Sequence, residues 1–301
     1  MKKQIFGLSL FLAIAACRKS TTEVISQPPA VSPKDTIPAV VVKTDTASAK
    51  QTPFPQAPVT GCSYDPSYGD SIIFPQPVTN TDYIVSPVNN PPAGKYYAWP
   101  VGMVIDSVTG AIDVTQSQTG MRYAIGFVKS GSTDTCLSTL IIGGVDYMDS
   151  VYVLASGATT AAPYYDANPY LPSVCNGSGN GCTFDVTGSA ARQKVIVNNS
   201  TGVIDLAKTL NGTTLLGGAF GLLPINGQTI TTTIYYKLND ASNNALQHID
   251  VQIAYYNSKS LINIGLVNNV LNRLDNILSG NIISLSANPR PPLIIIVRQL
   301  Q

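Results

Sequence analysis

Glutamate occurs once in this chain of 301 residues, at Glu23, and histidine once, at His248. Each scarcity removes a class of chemistry. A glycosidase sets two carboxyl groups across one bond. With no Glu beyond residue 23, two Asp would have to serve, and no pair stands at a telling spacing. A hydrolytic histidine needs a nucleophile, yet no Gly-x-Ser-x-Gly motif accompanies His248. His248 shares a strand face with Asp250 and Gln252 and reads as a solvent-facing strand residue. Charged residues make up only 12% of the chain and the formal net charge is +1, so no nucleic-acid partner is indicated. The chain therefore reads as non-enzymatic, with no cofactor and no catalytic residue.

Calcium would need clustered oxygen ligands. Asp106, Asp113, Asp205, Asp240 and Asp250 are available, but no Asp-x-Asp pair and no bidentate Glu joins them. Asp106 and Asp113 read as turn and edge residues, and no metal site is assigned.

Thr, Val, Ile, Tyr, Gly and Pro are plentiful, which favours pleated strands and turns. The N-terminus is different. Met1-Lys2-Lys3 is a basic start, and Ile5 to Ala16 is an apolar run too short to span a bilayer comfortably. Ile14-Ala15-Ala16-Cys17 resembles a lipobox, the recognition site of the lipoprotein signal peptidase. The resemblance implies a signal peptide over residues 1–16 and a mature chain acylated at Cys17, the membrane partner being reached through that lipid. Several acyl chains at ~0.8 kcal/mol per buried CH₂ make a firm anchor. Arg18 follows where an inner-membrane retention signal would place Asp, which points to the outer membrane, facing the periplasm or the cell surface. Residues 17–60, rich in Pro, Thr and Ser, read as a disordered tether.

Beyond the tether a short pattern occurs twice. Ile105-Asp106-Ser107-Val108-Thr109-Gly110-Ala111-Ile112-Asp113-Val114 returns in type as Val197-Asn198-Asn199-Ser200-Thr201-Gly202-Val203-Ile204-Asp205-Leu206. Asp106 and Asn198 are suited to bond the backbone two residues on, and Gly110 and Gly202 tolerate positive φ. The pattern predicts strand, tight turn, strand, once in each of two units.

Gly102-Met103-Val104-Ile105-Asp106 followed by Thr109-Gly110-Ala111-Ile112 resembles the Ig-like and cadherin-like modules of bacterial surface proteins, with their Ile-Asp-x-x-Thr-Gly-x-Ile signature. The second copy lacks the leading Gly. The resemblance implies a mainly β chain with two Ig-like or cadherin-like β-sandwich modules in tandem, over residues 61–160 and 161–301. Such modules serve adhesion, recognition or spacing.

Within the first module, strands are predicted at Asp82–Val85, Lys95–Trp99, Met121–Phe127, Cys136–Ile142 and, last, through Val151 to Leu154. In the second, Ile230, Thr232, Ile234, Tyr236 and Leu238 share one strand face, and Ile249, Val251, Ile253 and Tyr255 return on the next. Leu261, Ile264, Val267, Leu271, Leu274 and Leu278 form one apolar stripe of an amphipathic helix, with Ser258 or Ser260 as cap and Gly280 as stop. Pro291-Pro292-Leu293-Ile294-Ile295-Ile296-Val297 reads as a buried strand.

Four cysteines remain after Cys17: Cys62, Cys136, Cys175 and Cys182. An even number in an exported chain reads as disulfides with three possible connectivities. The flexible loop between Cys175 and Cys182 is suited to close on itself, leaving Cys62 with Cys136. The segment from Pro163 to Pro172 offers Tyr164, Tyr165 and Tyr170 as aromatic faces for a glycan or protein partner, or as packing between the modules. The expected function is binding of a glycan or an envelope protein. The alternative is an assembly subunit of an outer-membrane complex, docked through the helix stripe or the Ile-rich C-terminus.

Overall fold

The computed structural model describes Cys62 and residues 64–175, 181–212, 225–279 and 291–299. Cys17, the segments expected to be a signal peptide and a tether, and Gly280 lie outside the described residues.

The chain is mainly β. Its first half contains β1 (Ile72–Ile73), β2 (Ile84–Val85), β3 (Gly94–Trp99), β4 (Val104–Ile105), β5 (Ile112–Asp113), β6 (Met121–Lys129) and β7 (Thr135–Ile142). One sheet has the order β1-β7-β6-β3, and a smaller one the order β2-β5-β4. The two face each other across a core of Tyr96, Tyr123, Ile125, Phe127, Leu140 and Ile142 from the larger sheet and Ile112 and Val114 from the smaller side. Met121, Tyr123, Ile125 and Phe127 point into that core because strand side chains alternate. The other face of β6 is covered as well: Ala124 packs with Trp99, Tyr97 and Leu137.

The second half contains β8 (Val145–Tyr147), β9 (Ser150–Val153), β10 (Thr160–Ala161), β11 (Pro163–Tyr165), β12 (Thr183–Phe184), α1 (Ser189–Arg192), β13 (Ile204–Asp205), α2 (Leu206–Gly212), β14 (Gln228–Lys237), β15 (Gln247–Ser258), α3 (Ile264–Ser279) and β16 (Leu293–Gln299). Its main sheet has the order β12-β14-β15-β16-β9. Over one face lie the short β8–β11 and β10–β13 ladders with α1 and α2. Thr232, Ile234, Tyr236, Ile249, Val251, Ile253 and Tyr255 are buried on that side, as the period-two pattern requires. Over the other face, α3 lays Val267 and Val270 on Ala254, Tyr256, Leu293, Ile295 and Val297.

The duplicated pattern folds twice in the same way. Asp106 N donates to Ala111 O and Gly110 N to Asp106 O; Asn198 N donates to Val203 O and Gly202 N to Asn198 O. The side-chain Oδ1 of Asp106 accepts from Val108 N and Thr109 N, and that of Asn198 from Ser200 N and Thr201 N. Both glycines sit at φ 73°. The second hairpin runs directly into α2 at Leu206, where the first turns through Thr115.

Two details depart from expectation. Ser150–Val153, expected to end the first module, pairs with β16 in the second sheet. Its side chains Val151 and Tyr152 pack on that sheet's two faces. The cap of α3 is Asn263, whose Oδ1 accepts from Gly265 N at 2.7 Å, whereas Ser258 and Ser260 bond each other. Asn263 stands immediately before the first helical residue, within reach of the N2 amide. Of the apolar stripe, Val267 faces the sheet while Leu261 and Ile264 are exposed, and Leu293 to Val297 are buried within the sheet.

Candidate functional site

Among the described residues, α3 lies over Ala254 and Tyr256 of β15. Farther along the same strand, the antiparallel register sets Tyr235 opposite His248 and Thr233 opposite Asp250. The Tyr235 and His248 rings lie 5.8 Å apart at 34°, a cross-strand pair of the kind that stabilises sheets. Each is partly exposed.

Asp250 is held from two sides. Thr233 donates its hydroxyl to Asp250 Oδ1 at 2.6 Å, and Gln118 donates from Nε2 to Asp250 Oδ2 at 3.3 Å. Gln118 belongs to the β5–β6 connection of the first half, so the patch draws on both halves. Its neighbour Thr119 donates to His248 O at 3.2 Å and bonds the Tyr236 hydroxyl, which accepts from Val145 N. The remaining amide oxygen of Gln118, Oε1, is buried without a partner among the described residues.

Burial pushes the His248 pKa below its ordinary value, and the nearby Asp250 carboxylate pulls the other way without prevailing. The imidazole is therefore neutral at pH 7, offering one nitrogen as donor and one as acceptor. The Thr233 hydroxyl is directed at Asp250, so it is not poised as a nucleophile on His248. His248, Asp250 and Gln252 share one face of β15, so a neutral imidazole and a held carboxylate stand with the Tyr235 phenol on the neighbouring strand, donors and acceptors side by side.

His248, Asp250 and Gln252 are the residues that the sequence placed on one face. Tyr235, Thr233 and Gln118 were missed. Pairing β14 with β15 across the Asn239–Asn244 loop would have placed Tyr235 opposite His248, but no sequence signal brings Gln118 from 132 residues away.

The Pro163–Pro172 segment requires a correction. Tyr164 and Tyr165 are only 7% and 2% exposed and present no ring to solvent. The Tyr164 hydroxyl donates to Asp146 Oδ2 at 2.9 Å, and the Tyr165 hydroxyl bonds Ser173 Oγ at 2.8 Å. Strand β11 pairs with β8, which sets the Tyr165 ring in the main core. Tyr170, at 67% exposed, is the ring of the three that solvent reaches.

The cysteines are bonded Cys62–Cys136 and Cys175–Cys182, each with Cα atoms 5.6 Å apart. Cys62, Asp65 and Cys136 bring ligand-type atoms within 4.8 Å of one another, but both sulfurs are spent on the disulfide. Four of the carboxylates weighed for calcium, those of Asp106, Asp113, Asp205 and Asp240, accept from local backbone amides. Asp113 accepts from Gln116 N, Asp205 from Lys208 N and Asp240 from Ser242 N. Backbone donors hold the Asp106 carboxyl below its usual value.

No protein-family model matches the chain, and no curated protein matches it. Among solved structures, it is similar to a SusE-like surface located polysaccharide binding protein from the Bacteroides thetaiotaomicron heparin utilisation locus, with 12% identity over 64% of this chain and a TM-score of 0.22. The match spans 33% of that protein's length. Human protocadherin-24 EC1-2 is similar over 61% of this chain and 93% of its own, with 6% identity and a TM-score of 0.22. Likenesses of this size assign neither a family nor a ligand.

Proposed function

We propose that this chain is a lipid-anchored, non-enzymatic protein of the cell envelope that binds a glycan through the outer face of its second module. The observation that carries the binding reading is the partly exposed Tyr235–His248 pair beside Asp250. A pyranose presents one apolar face and a rim of hydroxyls. The paired rings match the face, and Asp250, His248 and Gln252 match the rim. Tyr170 is a separate exposed ring and belongs to the alternative, a protein partner.

The anchoring part of the proposal rests on Ile14-Ala15-Ala16-Cys17 and the tether behind it. Palmitate labelling of cells expressing the chain tests it, with loss of label expected in Cys17→Ser. Protease treatment of intact cells then tests the outer-membrane, cell-surface location. Release of the folded modules supports surface display. Cleavage only after lysis places them in the periplasm and rules out adhesion to other cells.

A further inference from the structure

The duplication extends well beyond the hairpins. In each half, an aromatic ring covers the turn glycine: Tyr96 lies against Gly110, and Phe184 against Gly202. In each, the backbone of that aromatic residue donates to the turn, Tyr96 N to Ser107 O and Phe184 N to Asn199 O. Each then pairs with an aromatic on the next strand, Tyr96 with Phe127 and Phe184 with Tyr236. Strands β3, β6 and β7 thus correspond to β12, β14 and β15.

The opening strands correspond as well. Tyr68-Gly69-Asp70-Ser71-Ile72-Ile73 matches Tyr147-Met148-Asp149-Ser150-Val151-Tyr152. The two leading tyrosines donate to Gly110 O and Gly202 O, and Ile73 and Tyr152 both turn toward their inner cores. By this correspondence β9 is the counterpart of β1.

One difference breaks the match. Strand β1 pairs directly and in parallel with β7, Ile72 beside Ile141. Its counterpart β9 does not touch β15 in the same way, because β16 lies between them, parallel to both. Ile294 is the partner of Ile253 on one side and of Ser150 on the other. The C-terminal strand has entered a seam that the first half closes without it. Asp149 marks the entry: its Oδ1 accepts from Leu293 N and from Arg273 Nη1 of α3, each at 2.7 Å. Its counterpart Asp70 is exposed.

We propose that the β9–β15 seam is a strand-accepting site, filled in cis by Leu293–Gln299 and able to take the same segment from a second copy of this chain. The site selects an extended parallel segment that is aliphatic on both faces. Ile294 and Ile296 enter the inner core, while Leu293, Ile295 and Val297 sit beneath α3. The main-chain ladder supplies affinity, as in strand addition generally, and the two rows of pockets exclude charged sequences. The partner is a second copy because its own C-terminus carries the matching run.

The test uses the full mature chain. Hydrogen exchange in mild urea should show the amides of Ile294–Val297 exchanging at least tenfold faster than those of Ile249–Ile253. A fluorescent peptide spanning residues 291–299 should bind under the same conditions, and a peptide with Ile294→Asp and Ile296→Asp should not. Mixed heavy and light chains should yield mixed dimers. Arg273→Ala, which loosens the Asp149 contact, should raise peptide uptake. Ser150→Cys combined with Ile294→Cys, which ties β16 to β9, should abolish it. Equal exchange rates in β15 and β16 would overturn the proposal, as would peptide binding that ignores the tie.

Discussion

The hydroxyl of Tyr147 donates to the carbonyl of Gly202 at 2.6 Å, 55 residues along the chain. Burial pushes its pKa well above the ordinary phenol value, so the donor proton is retained throughout the physiological range. Tyr68 and Gly110 repeat the bond at 2.7 Å in the first half. Each half is pinned at the same place, where a strand-leading tyrosine meets a turn glycine under an aromatic ring.

That arrangement fixes what the glycines tolerate. An added Cβ at Gly202 would stand 2.5 Å from Phe184, and one at Gly110 would stand 2.6 Å from Tyr96. Positive φ adds its own cost for an L-residue with a Cβ. Gly202→Ala and Gly110→Ala should each destabilise by about 2–5 kcal/mol in urea unfolding. Tyr147→Phe, which leaves the Gly202 carbonyl unpaired, should cost about 1–2 kcal/mol.

The two disulfides should contribute unequally. Cys62–Cys136 closes 74 residues and Cys175–Cys182 closes 7. Chain-entropy arithmetic gives about 4 kcal/mol for the longer loop and about 2 kcal/mol for the shorter. The double variant Cys62→Ser, Cys136→Ser should therefore lower the urea midpoint more than Cys175→Ser, Cys182→Ser. The reverse order would show that the loop lengths do not govern their effect.

Asp149 and Arg273 form a pair of buried groups, and Arg273 Nη1 approaches Asp149 Oδ1 to 2.7 Å. Removing one partner strands the other charge out of water, so Arg273→Ala should cost about 3–5 kcal/mol. Removing both with isosteric apolar residues should cost less, because neither charge is then left uncompensated. A double-mutant cycle measures the difference.

His248 sets a pH dependence with a definite sign. Its folded pKa lies below 6.5 because burial disfavours the imidazolium. The unfolded chain therefore binds the proton more readily than the folded one. The stability this group supports is complete above pH 6.5 and is lost as pH falls through the lower folded value. His248→Gln should flatten the unfolding free energy over that window while leaving the other carboxylate-driven acid losses in place.

Much of the architecture was legible because it rests on local rules. Alternation along β6, β14 and β15 gave the buried faces, and the Thr-Gly pattern gave both hairpins. What stayed hidden depends on long-range pairing. Nothing in Ser150–Val153 states that it will border the C-terminal strand rather than β7, although the Tyr-x-Asp-Ser repeat at Tyr68 and Tyr147 was a usable sign that a new unit begins there. Tyr164 and Tyr165 looked like loop aromatics because the flanking prolines masked a three-residue strand. The site was half visible. His248, Asp250 and Gln252 share a period-two face, but Gln118 arrives through tertiary packing.

The most direct measurement is a glycan-binding screen of the folded mature chain, followed by isotherms for Tyr235→Ala and His248→Ala. Removal of one stacking ring at a sheet surface should weaken binding at least tenfold, which corresponds to about 1.4 kcal/mol, with the urea midpoint nearly unchanged. Binding that survives in both variants, or a folded chain that takes up no glycan, would contradict the assignment of this sheet face as the binding surface.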